Sequence, residues 1–252
     1  MAKQSITFMF LAIFLASNVA AQDKAASVVL SIGKNVAQQP DQERRTLKRK
    51  SAIYQNDQIM TGSKGQLQLR FTDNSRLSLR PETIFRVDEY RYQNSSPEKG
   101  RSVYRLLKGG LRTITGAISD ANVENYQVKT PIATIGVRGT HYSLFYCDKS
   151  CKETTRSKIG LYGYVLEGEI VLASDSVRAP IQAGRYFFLG GNGSSLKIRK
   201  TAFDLFEKLE GLGPDLMSET AGGTIPALDI NNTSIGTDPQ TPRSPAGPPT
   251  YP

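Results

Sequence analysis

The sequence predicts an all-β domain, a β-sandwich or β-roll of short antiparallel strands with a jelly-roll-like arrangement. Apolar and polar residues alternate with a period of two in many short segments, and turn-forming residues separate these segments at intervals of about 8 to 12 residues. Only one segment, 202–210, spaces its apolar residues as a helix does, and Gly211 would end that helix. We therefore expect one β domain followed by a single short helix.

The clearest strands form a hairpin in the segment 65–80. Apolar residues occupy every second position from Leu67 to Phe71, Asp73-Asn74-Ser75 predicts a tight turn, and the alternation then resumes. The same alternation predicts further strands at 83–90, 102–107, 111–115, 125–129, 132–137, 141–146, 158–166, 170–173, 185–189 and 195–199. The stretches 107–111 and 166–170 share the form apolar-charged-Gly-x-apolar, and each predicts a turn between two of these strands.

The N-terminus predicts a cleaved signal peptide. Lys3 precedes an apolar run over 6–16, and Val19 and Ala21 stand at the positions that a signal peptidase recognises, so we expect cleavage after Ala21. A bilayer span needs about 20 apolar residues, and this run is shorter. We therefore expect a periplasmic or secreted protein with no stable membrane span after cleavage.

The C-terminal segment has the composition of a disordered tail. Eight of the thirteen prolines lie in 214–252, among Asn, Thr, Ser and Gly, and such a segment buries too little apolar surface to offset the entropy of ordering. The predicted organisation is a signal peptide (1–21), a β domain (22–200), a short helix (201–212) and a disordered Pro-rich tail (213–252).

The charge of the chain predicts an anionic partner. The formal net charge is +9; without the predicted signal peptide it is +8, and because the tail after Gly213 carries −3, the mature chain up to Gly213 carries +11. Outside the cytoplasm this basicity does not favour nucleic acid, and it favours an envelope protein or an anionic cell-wall or outer-membrane component. The densest positive segment is a solvated loop or a docking site for such material, and its charged residues are Arg44, Arg45, Lys48, Arg49 and Lys50.

The composition argues against metal sites and catalysis. The chain has one histidine, His141, two cysteines and no tryptophan, so it can build neither a multi-histidine site nor a four-cysteine zinc site. No motif places Ser, Asp or Glu for hydrolysis. We expect no cofactor and no enzymatic activity, and we expect His141 to be a hydrogen-bonded polar residue in a strand.

Cys147 and Cys151 predict a disulfide bond. The two residues lie close together between predicted strands, at a hairpin tip, and an exported protein meets an oxidising environment. The alternative is a redox-active pair, which would favour a two-residue spacing and a helix N-terminus.

Several spaced motifs resemble FecR-like periplasmic domains. Thr130-Pro-Ile-Ala-Thr-Ile-Gly-Val-Arg-Gly-Thr-His-Tyr142 is similar to the family's signature, and Asp57-Gln-Ile-Met-Thr-Gly-Ser-Lys-Gly65 is similar to an upstream motif. The resemblance covers about 56–189, with Asn56 and Asn74 where the family commonly has Gly. The signature positions are Asp57, Thr61, Gly62, Asp73, Thr130, Pro131, Ala133, Gly139, Thr140, Gly168 and Gly184.

The physical chemistry of these signature residues points mainly to a structural role. Pro131 restrains Thr130 to an extended conformation that suits the start of an edge strand, and Gly136 and Gly139 favour a bulge. The alternative is that the signature residues also line a contact surface.

The resemblance implies a sensing or protein-binding function. Founding members of the family sense a loaded outer-membrane receptor through their periplasmic part and control a sigma factor through a tryptophan-bearing cytoplasmic segment, which we do not find here. We therefore expect a stand-alone exported domain that mediates protein interaction or envelope signalling. The alternative is a glycan-binding or ligand-binding module, for which the available tyrosines are Tyr90, Tyr92, Tyr142, Tyr162 and Tyr164.

Overall fold

The computed structural model describes residues 23–208, apart from the side chains of Arg138, Glu207 and Lys208. The chain divides into two compact units, 1–216 and 217–252, and all the described residues belong to the first. The predicted signal peptide, the Pro-rich tail and the end of the predicted helix lie outside the described residues.

The described part of the chain contains fifteen strands, three short α-helices and two 3₁₀ turns. The strands are β1 (Lys24–Ile32), β2 (Asn35–Gln38), β3 (Arg45–Thr46), β4 (Ala52–Tyr54), β5 (Gln58–Thr61), β6 (Gln66–Phe71), β7 (Arg76–Leu79), β8 (Ile84–Arg91), β9 (Arg101–Ile114), β10 (Tyr126–Lys129), β11 (Thr134–Cys147), β12 (Gly160–Ala173), β13 (Arg178–Gln182), β14 (Arg185–Gly190) and β15 (Leu196–Arg199). The helices are α1 (Ala117–Ala121), α2 (Lys149–Thr155) and α3 (Asp204–Lys208), and the 3₁₀ turns are Pro97–Lys99 and Val123–Asn125.

Three long strands, β9, β11 and β12, run through two layers of sheet. Each has 14 residues, and its two halves pair with different neighbours. One layer has the order β4-β1-β6-β7-β9-β11-β12-β14-β15. The other has the order β3-β2-β5-β8-β9-β10-β11-β12-β13. The all-β prediction is therefore confirmed, with one parallel pair, β9 with β10, among antiparallel ones.

The predicted turns at 107–111 and 166–170 are wrong, because each long strand replaces two predicted short ones. A hairpin would pair its two segments with each other, whereas here the segments continue into different layers. Glycines with positive φ stand where these strands change layer: Gly109 (+77°), Gly139 (+53°) and Gly168 (+73°). The register shift between Arg138 and His141 is the bulge that the sequence predicted near Gly139.

The hairpin at 65–80 is confirmed, whereas two helices were not predicted. β6 pairs with β7, and Asn74 has a φ of +67° in the turn between them. The short helices α1 and α2 contain too few residues to show a helical repeat of apolar positions. The side chain of Asp148 caps α2 by accepting a hydrogen bond of 2.9 Å from the Cys151 amide.

The inner faces of the two layers enclose one core. Tyr104 of one layer lies 5.1 Å from Phe71 of the other, measured between ring centroids, and it also contacts Phe85 and Tyr126. The Tyr142 hydroxyl donates a hydrogen bond of 3.4 Å to the Tyr126 hydroxyl across the layers. Alternation along each strand thus places one apolar face inward, which is the reason that the period of two predicted the fold.

Candidate functional site

Asp57 of the signature lies in the core and is neutralised by Arg45. Its side chain is 0% exposed, whereas the side chain of Arg45 is 36% exposed. Arg45 donates hydrogen bonds to both carboxylate oxygens, and the Tyr54 amide donates a third at 2.8 Å. Burial raises the pKa of Asp57, and the Tyr54 amide and the Arg45 charge act against this rise. Arg45 therefore belongs to the architecture of the domain.

Asp73 organises the turn of the 65–80 hairpin. One oxygen of its carboxylate accepts hydrogen bonds from the amide and hydroxyl of Ser75, at 3.1 and 2.6 Å, and from the Tyr90 hydroxyl at 3.3 Å. Burial and the charge of Asp73 raise the pKa of Tyr90. The Tyr90 hydroxyl also accepts a hydrogen bond from the Asp73 amide at 3.0 Å. Tyr90 therefore stabilises the turn of the hairpin.

Thr61 and Gly62 fix the end of β5. The Thr61 hydroxyl accepts a hydrogen bond of 2.8 Å from the Thr83 amide and donates to the Arg80 carbonyl. A Cβ atom on Gly62 would lie 2.9 Å from the Lys34 carbonyl oxygen, so a side chain at this position would push the chain away from that strand connection.

The segment Thr130–Ala133 forms a turn that starts β11. The Thr130 hydroxyl donates a hydrogen bond of 2.9 Å to the Ala133 carbonyl and accepts one of 3.0 Å from the Ala133 amide. Pro131 lies exposed within this turn, and Ala133 is 7% exposed. The Thr130 side chain therefore supplies the turn's hydrogen bonds beside a proline that cannot donate one.

Thr140, Gly168 and Gly184 lie where β11, β12 and β14 meet. The Thr140 amide donates a hydrogen bond of 2.9 Å to the Thr115 hydroxyl, and Thr140 itself is buried. The Gly168 carbonyl accepts a hydrogen bond of 3.0 Å from the Ala183 amide, and the Gly184 amide donates one of 2.8 Å to the Val165 carbonyl. Each contact holds a bend or a turn in place.

His141 is a hydrogen-bonded strand residue, as predicted. Its Nε2 atom accepts a hydrogen bond of 2.8 Å from Nε of Arg112, which is only 6% exposed. Burial and the Arg112 charge lower the pKa of His141, and Glu167 acts against this. A neutral His141 is thus an acceptor for a buried guanidinium. The sequence contained no signal for this pair, because the two residues are 29 positions apart.

Cys147 and Cys151 form a disulfide bond, with Cα atoms 5.2 Å apart. The pair lies in the connection between the antiparallel strands β11 and β12, as predicted, and the helix α2 within that connection, which contains Cys151, was not predicted. The bond anchors α2 to the end of β11, where Cys147 is buried beside Phe145, Tyr162 and Phe188.

In protein isolated from its cellular compartment, both cysteines are expected to resist alkylation until the disulfide is reduced. Replacing both cysteines by Ser is expected to lower the free energy of unfolding by about 2 kcal/mol, because the bond closes a short loop in the unfolded chain. Urea titration of the variant, with reduced wild type as the matched control, checks this. Free labelling of both cysteines before reduction would contradict the prediction.

The predicted docking segment divides into one structural residue and four exposed ones. Arg45 pairs with Asp57, whereas the other four, Arg44, Lys48, Arg49 and Lys50, are exposed. Arg44 forms only a surface hydrogen bond of 3.2 Å with Gln38. The surface available for docking is therefore smaller than the sequence suggested.

The five tyrosines considered for glycan binding do not form one open surface. Tyr142 is 0% exposed and Tyr162 is 5% exposed, and Tyr90 holds the hairpin turn. Tyr164 stacks on Tyr186 with ring centroids 4.1 Å apart.

Clusters of metal-ligand side chains and membrane-spanning helices are both absent from residues 23–208. No group of three or more His, Cys, Asp or Glu in this part of the chain is placed to hold a metal ion. Of the helices in the same range, none has the length and apolar character required to cross a bilayer.

The fold and its signature define a class of all-β module in which two layers share three bent strands and the signature side chains hold turns and bends. Residues 57–170 match the family model described as FecR protein, which confirms the resemblance that the sequence motifs indicated. No curated protein matches the chain in sequence.

Two crystal structures of a candidate anti-sigma factor from Parabacteroides distasonis ATCC 8503 are similar to this chain. Their identities are 11% and 12%, and both have a TM-score of 0.43. The similarity covers 56% of this chain and 58% of theirs, which is less than two thirds of those chains.

Proposed function

We propose that this protein is an exported, non-enzymatic FecR-domain protein that mediates protein interaction or envelope sensing. The observation that carries the proposal is the family match over 57–170, since FecR domains are regulatory modules associated with the cell envelope. The apolar run at the N-terminus and the basic composition support export and an anionic or acidic partner.

The chemistry of the signature supports a binding role over catalysis. The signature carboxylates of Asp57 and Asp73 are engaged by Arg45, Ser75 and Tyr90. A general acid or base must reach a substrate proton, and these two buried groups are held in internal hydrogen bonds. The proposed partner therefore meets exposed side chains, and the signature positions them.

Crosslinking in cells is expected to recover an envelope protein or cell-wall material with the mature chain, and N-terminal sequencing is expected to find Gln22 first. Mass spectrometry of the crosslinked products identifies the partner. Recovery of the protein in the cytoplasm with residues 1–21 still attached would contradict the proposal. The absence of any crosslinked product would also contradict it.

The exposed basic residues offer a matched variant for this experiment. Changing Arg44, Lys48, Arg49 and Lys50 to Gln, with Arg45 kept, is expected to weaken retention on envelope fragments at low salt. Because charges further apart than about 8 Å are screened at physiological ionic strength, added salt should reduce wild-type retention to the variant's level. Equal, salt-insensitive retention of both proteins would exclude docking through this segment.

A further inference from the structure

A cavity lies beside the disulfide-anchored helix α2, outside the core. The residues after α2, the strands β12, β14 and β15, and the start of α3 enclose a volume of about 320 Å³. This is near the lower end of the range for small-molecule sites, about 300 to 1,000 Å³. A ligand the size of a monosaccharide fits such a volume.

The rim of the cavity is strongly positive. Four cationic residues and a single acid, Asp204, line it, and the four are Arg156, Lys158, Lys197 and Arg199. The ion pairs formed between described residues involve none of these four. The resulting excess of positive charge favours a ligand with more than one negative charge.

Two polar atoms of residues that line the cavity are buried and have no hydrogen-bond partner. They are Oγ of Ser157, a residue 9% exposed, and Nε of Arg199. A buried polar group left without a partner costs about 1 to 3 kcal/mol, so a ligand that accepts hydrogen bonds from these atoms would recover part of that cost.

The backbone holds these two donors in position before any ligand arrives. Arg156 ends α2 with a φ of +57°, and the next amide, that of Ser157, donates a hydrogen bond of 3.2 Å to the Thr155 hydroxyl. The guanidinium of Arg199 lies 3.7 Å from the centroid of the Phe203 ring and also donates to the Ala202 carbonyl. These contacts lower the entropy lost when a ligand orders Ser157 and Arg199.

Aromatic rings form the apolar wall of the cavity. The ring centroid of Tyr162 lies 4.6 Å from that of Phe188 and 6.0 Å from that of Phe203. The Tyr162 hydroxyl already donates to the Lys158 carbonyl at 2.9 Å. Tyr162 and Phe188 are only 5% and 7% exposed, so the partly exposed ring of Phe203 presents most of the apolar surface to a sugar ring.

We propose that this cavity binds a phosphomonoester carried on a sugar-sized body. A phosphate group carries nearly two negative charges and accepts several hydrogen bonds, which matches two guanidinium groups, two ammonium groups and a hydroxyl better than a carboxylate does. The phosphate group can come from a soluble sugar phosphate or from the phosphorylated sugar headgroup of a lipid. This site does not depend on the proposed partner-binding role.

Isothermal titration of the purified full-length protein tests the proposal with glucose 6-phosphate, inorganic phosphate and glucose as probes. Glucose 6-phosphate is expected to bind most tightly, inorganic phosphate more weakly, and glucose not measurably. Ser157→Ala and Lys197→Gln are each expected to weaken binding of glucose 6-phosphate about tenfold or more, equivalent to about 1.4 kcal/mol. Vesicles of phosphatidylcholine carrying a phosphorylated glucosamine lipid, added as a competitor, distinguish the lipid source from the soluble one.

Two controls separate binding from folding. Lys152→Gln removes the charge of an exposed α2 residue that does not line the cavity, and is expected to leave affinity unchanged. Ser157→Ala removes a hydroxyl without a partner and is expected not to lower the melting temperature. Equal affinity for glucose and glucose 6-phosphate, no binding of either, or an equal loss with Lys152→Gln would overturn the proposal. A protein that binds glucose 6-phosphate but crosslinks to no envelope partner would contradict only the proposed function.

Discussion

Gly109→Ala is expected to lower the free energy of unfolding by about 3 kcal/mol or more. Gly109 has a φ of +77° where β9 passes from one layer to the other. A Cβ atom there would lie 2.8 Å from the Thr83 Cα and 2.9 Å from the Glu82 carbonyl oxygen, which are backbone atoms that cannot rotate away. The left-handed conformation costs an alanine about 1 to 2 kcal/mol, and overpacking adds about 1 to 3 kcal/mol.

Gly184→Ala is the matched control for this prediction. Gly184 has almost the same φ, +75°, but a Cβ atom there would meet nothing within 4 Å. The expected loss for Gly184→Ala is therefore only the backbone strain, about 1 to 2 kcal/mol. Denaturant titrations of the two variants measure the difference, and similar losses for both would show that the crowding at Gly109 relaxes freely.

Arg45→Gln is expected to destabilise the domain by about 2 to 3 kcal/mol, because it leaves the carboxylate of Asp57 buried without its counter-charge. Breaking a fully buried pair costs about 3 to 5 kcal/mol. The expected value is lower because Arg45 is 36% exposed, so water screens part of the interaction. Arg44→Gln removes the same charge from the same segment without touching Asp57, and its effect should stay within about 0.5 kcal/mol.

The loss of unfolding free energy caused by Arg45→Gln is expected to become smaller as the pH falls. Loss of Arg45 raises the pKa of Asp57 further above its value in the unfolded chain, so the folded variant binds a proton more readily than the unfolded chain does. The contribution of Asp57 to stability is then greatest at low pH and is lost as the pH rises through the window above about 4. Chemical denaturation of both proteins at about pH 4.5 and pH 7.5 checks this, and a deficit independent of pH would contradict it.

The sequence predicted the faces of the strands better than it predicted their ends. Alternation correctly placed Leu67, Leu69 and Leu77 in the core, because the period of two depends only on the local pleat. It could not distinguish a turn at Gly168 from a bend. Both use a glycine with positive φ, and only the pairing partners of the flanking residues differ.

For the candidate sites too, the sequence predicted some features and the tertiary structure decided others. The chemistry of Cys147 and Cys151 was predictable from their spacing, whereas the place of Cys151 in α2 depends on the Asp148 cap. The sequence alone revealed the basic segment through its positive charges. The selection of Arg45 from it depends on β2 pairing with both β3 and β5, which no local pattern encodes.

The sequence by itself determined the all-β class, the disulfide pair and the family motifs, because each rests on residues close together along the chain. Only the tertiary structure decided that β9, β11 and β12 cross between two layers, that Arg112 donates to His141, and that four cations surround an aromatic wall near α2. These features join residues far apart in sequence. Their positions follow from which strand edges pair and which faces pack, and those choices are settled by burial over the whole domain.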